Sequence, residues 1–135
     1  MAEFKTQIIH SKDLTLHTVS GLVGHSELIS NAKKYYAAGN LTSMVLWDFR
    51  NANINGLHAN QLREIAWDLR DYMRLRAGGK TAFVVSDDIA FGIARMFEAF
   101  AESECVAVEQ RTFRDIEDAI IWLLAPILIT EYCRK

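Results

Sequence analysis

Lys80-Thr81-Ala82-Phe83-Val84-Val85-Ser86-Asp87-Asp88 is the stretch of sequence that decides the fold, and a helical pattern from Ile89 to Glu102 follows it directly. A short apolar run that ends in small polar residues and passes into a helix is typical of a strand that feeds a helix in a parallel sheet. Met44 to Phe49 repeats this arrangement ahead of a second helical pattern, Leu57 to Ala77. Two such units predict an α/β fold.

The remaining elements follow from the same two periodicities. We predict strands at Gln7–His10 and Leu14–Val23 that form an opening hairpin, a helix over Gly24–Ala38, and a last strand at Cys105–Val108. Thr112-Phe113-Arg114-Asp115 resembles a capping box at the start of a final helix. The order β-β-α-β-α-β-α-β-α predicts a mixed sheet of about five strands, with an N-terminal hairpin at its edge, parallel inner strands and about four helices.

Size and charge restrict the class of protein. With 135 residues, half of them hydrophobic, the chain is expected to form a single domain over residues 1–135. A formal net charge of −2 gives no electrostatic footprint for nucleic acid. The longest apolar run, Ala119 to Ile129, is too short to span a bilayer, and Met1 to Lys5 holds no signal-like apolar segment. Cys105 and Cys133 match no metal or redox spacing, so we expect a cytoplasmic protein without integral membrane association.

Three phrases, taken in order along the chain, resemble a known fold family. They are Val45-Leu46-Trp47-Asp48-Phe49-Arg50, the stretch from Ala90 to Phe100, and Thr112-Phe113-Arg114-Asp115 leading to Ala119-Ile120-Ile121-Trp122-Leu123. Together they resemble the SpoIIAA-like branch of the STAS domain fold, over roughly residues 5 to 124. The resemblance implies a small α/β domain, often dimeric, mostly without a known reaction.

The resemblance also raises two functional possibilities. The better understood STAS relatives antagonise anti-sigma factors and are switched by phosphorylation of a serine in an Asp-Ser-Ser-Gly-like turn. The corresponding stretch here is Asn53-Ile54-Asn55-Gly56-Leu57, in which Gly56 and Leu57 fit but no Ser or Thr supplies a phosphoacceptor. Another STAS-related group handles lipids in an apolar pocket, and the apolar helix Ile89 to Phe100 is compatible with such a role.

Polar residues follow the two central strands where their carboxyl ends are expected to meet. Ligands of open α/β sheets bind at this edge, where amides, a guanidinium and helix N-termini hold anions or polar head groups. The predicted ligand-binding residues are Asp48, Arg50, Asn53, Asn55, Ser86 and Asp87. Asn51 and Asp88 are their neighbours in the sequence. Turn and capping roles explain the same residue types, because Asn, Asp and Ser bond readily to nearby backbone groups.

Catalytic and metal sites find less support in the sequence. Ser86, Asp87 and His58 make a hydrolase conceivable, but there is no Gly-x-Ser-x-Gly elbow and capping explains Ser86, so we predict no catalytic residues. His10 and His17 could face each other across the hairpin, yet no histidine spacing matches a zinc signature. We therefore expect no metal and no cofactor.

Two hypotheses about function follow. The first is a non-enzymatic regulatory or interaction module that acts through a protein partner or as a homodimer, with its interface on the third helix at Phe91, Met96, Phe97 and Phe100 and on the tail Ile127–Tyr132. The alternative is a protein that binds a small apolar molecule or lipid in a pocket between the second and third helices, rimmed by Arg50 and the asparagines.

Overall fold

A computed structural model of the chain describes residues 2–104 and 107–125. Its strands and helices are β1 (Glu3–Ile9), β2 (Leu14–Leu22), α1 (His25–Ala37), β3 (Met44–Asn53), α2 (Ala59–Arg74), β4 (Lys80–Val84), α3 (Asp88–Ser103), β5 (Glu109–Phe113) and α4 (Ile116–Leu123), with one turn of 3-10 helix at His10–Lys12. The predicted order of elements is confirmed. The tail Ile127–Tyr132 lies outside the described residues.

The five strands form one mixed sheet in the order β1-β2-β3-β4-β5. β1 runs antiparallel to β2, with Ile9 opposite Leu14, and every other neighbouring pair is parallel. The hairpin edge and the parallel inner strands are therefore confirmed. Right-handed crossovers that all step in one direction along a sheet place their helices on the same face, so α1, α2 and α3 share a face and α4 packs on the other.

β4 shows how the sheet separates two hydrophobic cores. Successive side chains of a strand point to opposite faces, so Phe83 joins the larger core under α1, α2 and α3, whereas Ala82 and Val84 join the smaller core under α4. All five residues of β4 are buried, and its second half, Ala82-Phe83-Val84, is apolar on both faces of the sheet. Among the described helices, none has the length and apolar character needed to cross a membrane.

The last strand is a correction to the sequence prediction. The apolar run Cys105–Val108 led us to place the strand there, but the strand is Glu109–Phe113. Ala107 and Val108 precede it, Ala107 with a positive φ of 60°, while Cys105 and Val106 lie outside the described residues. β5 is an edge strand, and edge strands carry polar and charged residues that a search for apolar runs overlooks. Thr112 and Phe113 consequently belong to β5, and Asp115 caps α4 by accepting a hydrogen bond of 2.8 Å from the backbone N–H of Glu117.

β1 and β3 are also longer than predicted, and β3 matters for the site. Asp48 pairs with Val84, the last residue of β4, whereas β3 continues beside β2 until Asn53 pairs with Leu22. β3 thus extends about 16 Å past the end of β4, at about 3.3 Å per residue. Arg50 and Asn53 therefore lie within a strand and not in a loop after it.

Gly79 marks the closest backbone approach in the sheet. A Cβ at this position would collide with the carbonyl oxygen of Ser43 and lie 3.0 Å from the carbonyl oxygen of Arg76. The Ser43 carbonyl cannot retreat, because it accepts the hydrogen bond of 3.0 Å from Lys80 that begins the pairing of β3 with β4. Only glycine fits this position.

We expect Gly79→Ala to lower the free energy of unfolding by about 2–3 kcal/mol, because the added methyl group overpacks a fixed backbone. The matched control is Gly92→Ala, since a Cβ at this exposed position in α3 meets nothing within 4 Å. Alanine favours a helix interior, so the control should gain about 0.5–1 kcal/mol. Urea unfolding of both variants checks this, and equal stabilities would contradict it.

Candidate ligand cavity between the helices and the sheet

A cavity of about 80 Å³, partly open to solvent, lies between the sheet and the helices α1, α2 and α3. Its lining comprises Leu28, Tyr36, Trp47, Phe49, Ile54, Leu57, Leu62, Ile65, Leu69, Met73, Arg76, Thr81, Phe83, Ile93, Ala94, Phe97 and Gln110. Most of these side chains are apolar, and their placement follows from the periodicities of the elements that carry them. The cavity has the composition of a small-molecule site, with an apolar lining and few polar groups.

The two long helices form its outer walls. α2 contributes Leu62, Ile65, Leu69 and Met73, which recur every three or four residues and so share one face of the helix. In α3, Ala94 contributes only a methyl group to the wall, which leaves room beside the larger side chains around it.

The sheet forms the floor of the cavity with aromatic side chains. Trp47 and Phe49, two residues apart in β3, stack with ring centroids 5.9 Å apart. Phe83 in β4 meets Phe97 of α3 edge to face at 5.7 Å. Such aromatic contacts stabilise the protein by more than the burial of their apolar area alone. The floor is therefore a well-packed aromatic surface that an apolar molecule could contact.

One end of the cavity is polar, and Arg76 dominates it. This arginine follows the C-terminus of α2 and is only 5% exposed. Its Nε donates to the carbonyl oxygen of Thr42 at 2.9 Å, its Nη1 to the hydroxyl of Thr81 at 2.9 Å, and its Nη2 to the carbonyl oxygens of Ser43 at 2.9 Å and Lys80 at 2.8 Å. Within the described part of the chain, no carboxylate lies within 4.0 Å of the guanidinium.

The buried charge of Arg76 affects the pKa of two neighbouring side chains, Tyr36 and His17. Burial raises the pKa of the Tyr36 hydroxyl, and the adjacent Arg76 opposes that shift without reversing it. Burial, helped by the charge of Arg76, lowers the pKa of His17 to about 4. His17 is 3% exposed, stacks on Trp47 at 4.0 Å and shares a hydrogen bond of 2.9 Å between its Nδ1 and the hydroxyl of Thr6. At neutral pH this imidazole is therefore uncharged.

Of the predicted ligand-binding residues, Asp48 and Arg50 lie on the opposite face of the sheet from the cavity. Asp48 shares the parity of Leu46, which packs in the core under α4, and Arg50 lies in the β-bulge that follows Asp48. Arg50 forks onto the carboxylate of Asp48 with two hydrogen bonds of 2.9 Å. Burial raises the pKa of Asp48, but the hydrogen bonds and charge of Arg50 outweigh burial and hold that pKa below its usual value. The two charges satisfy each other.

The other four predicted ligand-binding residues make local contacts. Asn53 accepts a hydrogen bond of 3.0 Å from the backbone of Asn55, the Ser86 hydroxyl donates to the carbonyl oxygen of Arg50 at 3.2 Å, and Asp87 caps α3 by accepting from Ala90 at 2.8 Å. None of the six predicted residues lines the cavity. The rim that we predicted from Arg50 and the asparagines is replaced, in this loop, by the apolar side chains of Ile54 and Leu57.

The candidate catalytic and metal arrangements are not assembled. The backbone N–H of His58 donates to the side chain of Gln61 at 3.0 Å, and no hydrogen bond among the described residues joins His58 to Ser86. Residue Thr6, and not His10, lies opposite His17 in the hairpin. In residues 2–104 and 107–125, no three His, Cys, Asp or Glu side chains are grouped to hold a metal ion.

The four predicted interface residues of α3 fall into different environments. Phe97 lines the cavity, while the rings of Phe91 and Phe100 lie beneath the guanidinium groups of Arg114 at 4.9 Å and Arg63 at 4.7 Å. Met96 is 40% exposed. Their role in an interface stays a prediction.

No family model matches the sequence, and no curated protein matches it. The structure is similar to the crystal structure of an uncharacterised protein from the DUF3478 family, described as having a SpoIIAA-like fold, from Shewanella loihica PV-4. The two chains are 15% identical, the match covers 90% of this chain and 93% of that chain, and the TM-score is 0.54. The chain has a SpoIIAA-like fold. At this identity the similarity establishes the fold alone.

Within the SpoIIAA-like fold, two polar residues of the cavity escape the sequence patterns: Arg76 and Gln110. Arg76 precedes the glycine pair that ends α2, where a basic side chain normally interacts with the helix terminus at the surface. Gln110 lies in the strand that apolar runs do not reveal. A basic residue two positions ahead of the glycine pair Gly78-Gly79 was the available signal for Arg76, and it does not distinguish burial from exposure.

His17 should make the stability of the protein depend on pH. Because its folded pKa of about 4 lies below the ordinary histidine value of 6.5, between these pH values the unfolded chain binds a proton that the folded protein does not bind. The free energy of unfolding should therefore fall by up to about 3 kcal/mol between pH ~6.5 and pH ~4, and no further below that range.

We expect His17→Phe to remove this part of the pH dependence while it keeps an aromatic ring beside Trp47. His10→Gln, at an exposed position, is the matched control and should retain the dependence. Chemical denaturation from pH 7 to pH 4 measures both variants. A wild-type slope in His17→Phe would contradict the assignment.

Proposed function

We propose that this protein is a non-enzymatic binding module that holds a small apolar molecule in the cavity between α2 and α3. The observation that supports the proposal best is the apolar cavity of about 80 Å³ that opens to solvent beneath these helices. The sequence raised this function as the alternative to a regulatory interaction module, and a cavity is the feature that we expected to distinguish them. The proposal keeps the expected cytoplasmic location.

The energetic cost of the cavity supports a role for it. Protein interiors are packed like organic crystals and contain few voids larger than a water molecule. A volume of this size costs at most about 2 kcal/mol, at about 24 cal/mol per Å³ for a closed and empty cavity, and less where water enters through the opening. That is a large fraction of the stability of a small domain. A bound apolar molecule would restore the lost contacts.

The turn ahead of α2 also supports ligand binding over a phosphorylation switch. In the STAS relatives that this chain resembles, that turn carries the phosphorylated serine. Here it carries Ile54 and Leu57, which are 3% and 7% exposed and line the cavity. The turn is thus built to close an apolar space, with no hydroxyl group to accept phosphate.

We expect toluene to bind wild-type protein and to shift the methyl resonances of Ile65 and Ile93 in a nuclear magnetic resonance titration. Ala94→Leu should abolish these shifts, because its added carbons occupy the cavity, and should raise stability by about 0.5–1 kcal/mol. Ala99→Leu, on the exposed side of the same helix, is the control and should bind toluene normally. Absence of toluene binding, together with absence of binding by the hexyl compounds described below, would refute the ligand site.

A second candidate function is self-association through the exposed side of α3. Ile89 and Met96 lie seven residues apart on that side and are 61% and 40% exposed. Gly92 lies between them and Ala99 follows Met96 on the same side, and both are exposed. Residues at this spacing form one stripe along a helix. The stripe is apolar and supports the homodimer and the protein contacts expected from the sequence.

If the stripe joins two copies, Met96→Glu should convert a dimer into a monomer in sedimentation velocity, because a charge would be buried in an apolar contact. Leu75→Glu is the control, since Leu75 is 67% exposed at the end of α2 and outside the stripe. A wild-type protein that sediments as a monomer at 100 micromolar, a concentration on the order of typical weak dimer affinities, would rule out this interface.

A further inference from the structure

Arg76 carries a buried positive charge that the described residues do not neutralise. A charged group removed from water is costly unless it is paired, and buried guanidinium groups are therefore normally matched by carboxylates. The four partners of Arg76 are carbonyl and hydroxyl oxygens, which are neutral. The C-terminus of α2 adds a partial negative charge. These dipoles offset part of the cost and leave a full unit of positive charge beside an apolar cavity.

The guanidinium also retains hydrogen-bonding capacity. Arginine has five N–H donors, and four are used in the bonds to Thr42, Ser43, Lys80 and Thr81. The hydroxyl of Tyr36 lies within hydrogen-bonding reach of the remaining N–H, and both residues line the cavity. If its oxygen accepts from Arg76, the tyrosine O–H can still donate to a ligand oxygen at this end of the cavity.

Gln110 provides an independent sign that a polar group belongs here. Its Oε1 is buried without a hydrogen-bond partner among the described residues, and its Nε2 makes only a long contact of 3.7 Å with the sulfur of Met73. A buried polar atom without a partner is rare and costs free energy. Since Gln110 lines the cavity, a ligand would be its natural partner, and rotation of the amide by a half turn would present N–H donors to that ligand.

We infer that the molecule bound in the cavity is a small monocarboxylate, with its carboxylate at Arg76, Tyr36 and Gln110 and its apolar body between α2 and α3. A carboxylate supplies the missing negative charge beside the guanidinium, and its oxygens can accept hydrogen bonds from the hydroxyl of Tyr36 and the amide of Gln110. An alcohol of the same length would fill the same space without neutralising the charge, and an amine would be repelled.

Because this inference rests on the proposed ligand site, the test separates the two. Hexanoate, hexan-1-ol and hexylamine are titrated at neutral pH into wild-type protein, with the methyl resonances of the cavity and the Nε–Hε resonance of Arg76 as readouts. Hexanoate should bind at least about tenfold more tightly than hexan-1-ol, as expected for a charge-assisted hydrogen bond, and should move the Arg76 resonance. Hexylamine should not bind.

Equal affinities for hexanoate and hexan-1-ol, or tighter binding of hexylamine, would overturn the inference and leave the apolar site intact. Failure of all three compounds and of toluene would overturn the proposed function and the inference with it. The wild-type comparison comes first, because replacing Arg76 also removes the hydrogen bonds that join α2 to β3 and β4. Gln110→Leu is the second test: it should fold, keep the affinity for hexan-1-ol and weaken hexanoate several-fold, whereas unchanged hexanoate affinity would remove Gln110 from the site.

Discussion

The hydrogen bonds of the Arg76 guanidinium hold together the edge of the sheet at which β3 and β4 begin. They join the end of α2 to the backbone carbonyls of Thr42, Ser43 and Lys80, and the same carbonyl of Ser43 starts the pairing of the two strands. Gly79 allows these backbones to approach closely. The position of α2 over the sheet, and hence the outer wall of the cavity, depends on this junction. An arginine needed for architecture thereby places a charge inside an apolar space.

The sheet places the cavity on one face and the Asp48–Arg50 ion pair on the other. Side chains of β3 alternate between two faces, so Trp47 and Phe49 form the floor of the cavity while Asp48 and Arg50 pair with each other on the face that carries α4. The polar residues at the carboxyl ends of the strands are engaged in caps and turns. The cavity, in contrast, retains an unmatched guanidinium and an unmatched amide oxygen, which makes it the place where a ligand has something to contribute.

The sequence was a good guide where one physical rule dominated. Burial on both faces makes the run from Ala82 to Val85 apolar, and the stripe of α2 follows the helical period closely, so the order of elements and the mixed sheet could be predicted. Edge strands gave weaker signals, because β5 combines charged and polar residues with a single ring at Phe113. The apolar pocket between α2 and α3 could be predicted because apolar side chains cover most of the circumference of α3.

Its polar end could not be anticipated, since Tyr36, Arg76 and Gln110 come from three elements that only the tertiary fold brings together. The extension of β3 past β4 was equally hidden, because strand length is set by pairing with β2 and not by local pattern.

A crystal structure of the protein soaked with hexanoate is the most direct test of the account. We predict density for one molecule in the cavity, with its carboxylate within hydrogen-bonding distance of the Arg76 guanidinium and its alkyl chain between α2 and α3. A cavity that stays empty in the soaked crystal, or one that α3 closes by packing onto Phe83 and Phe49, would contradict it.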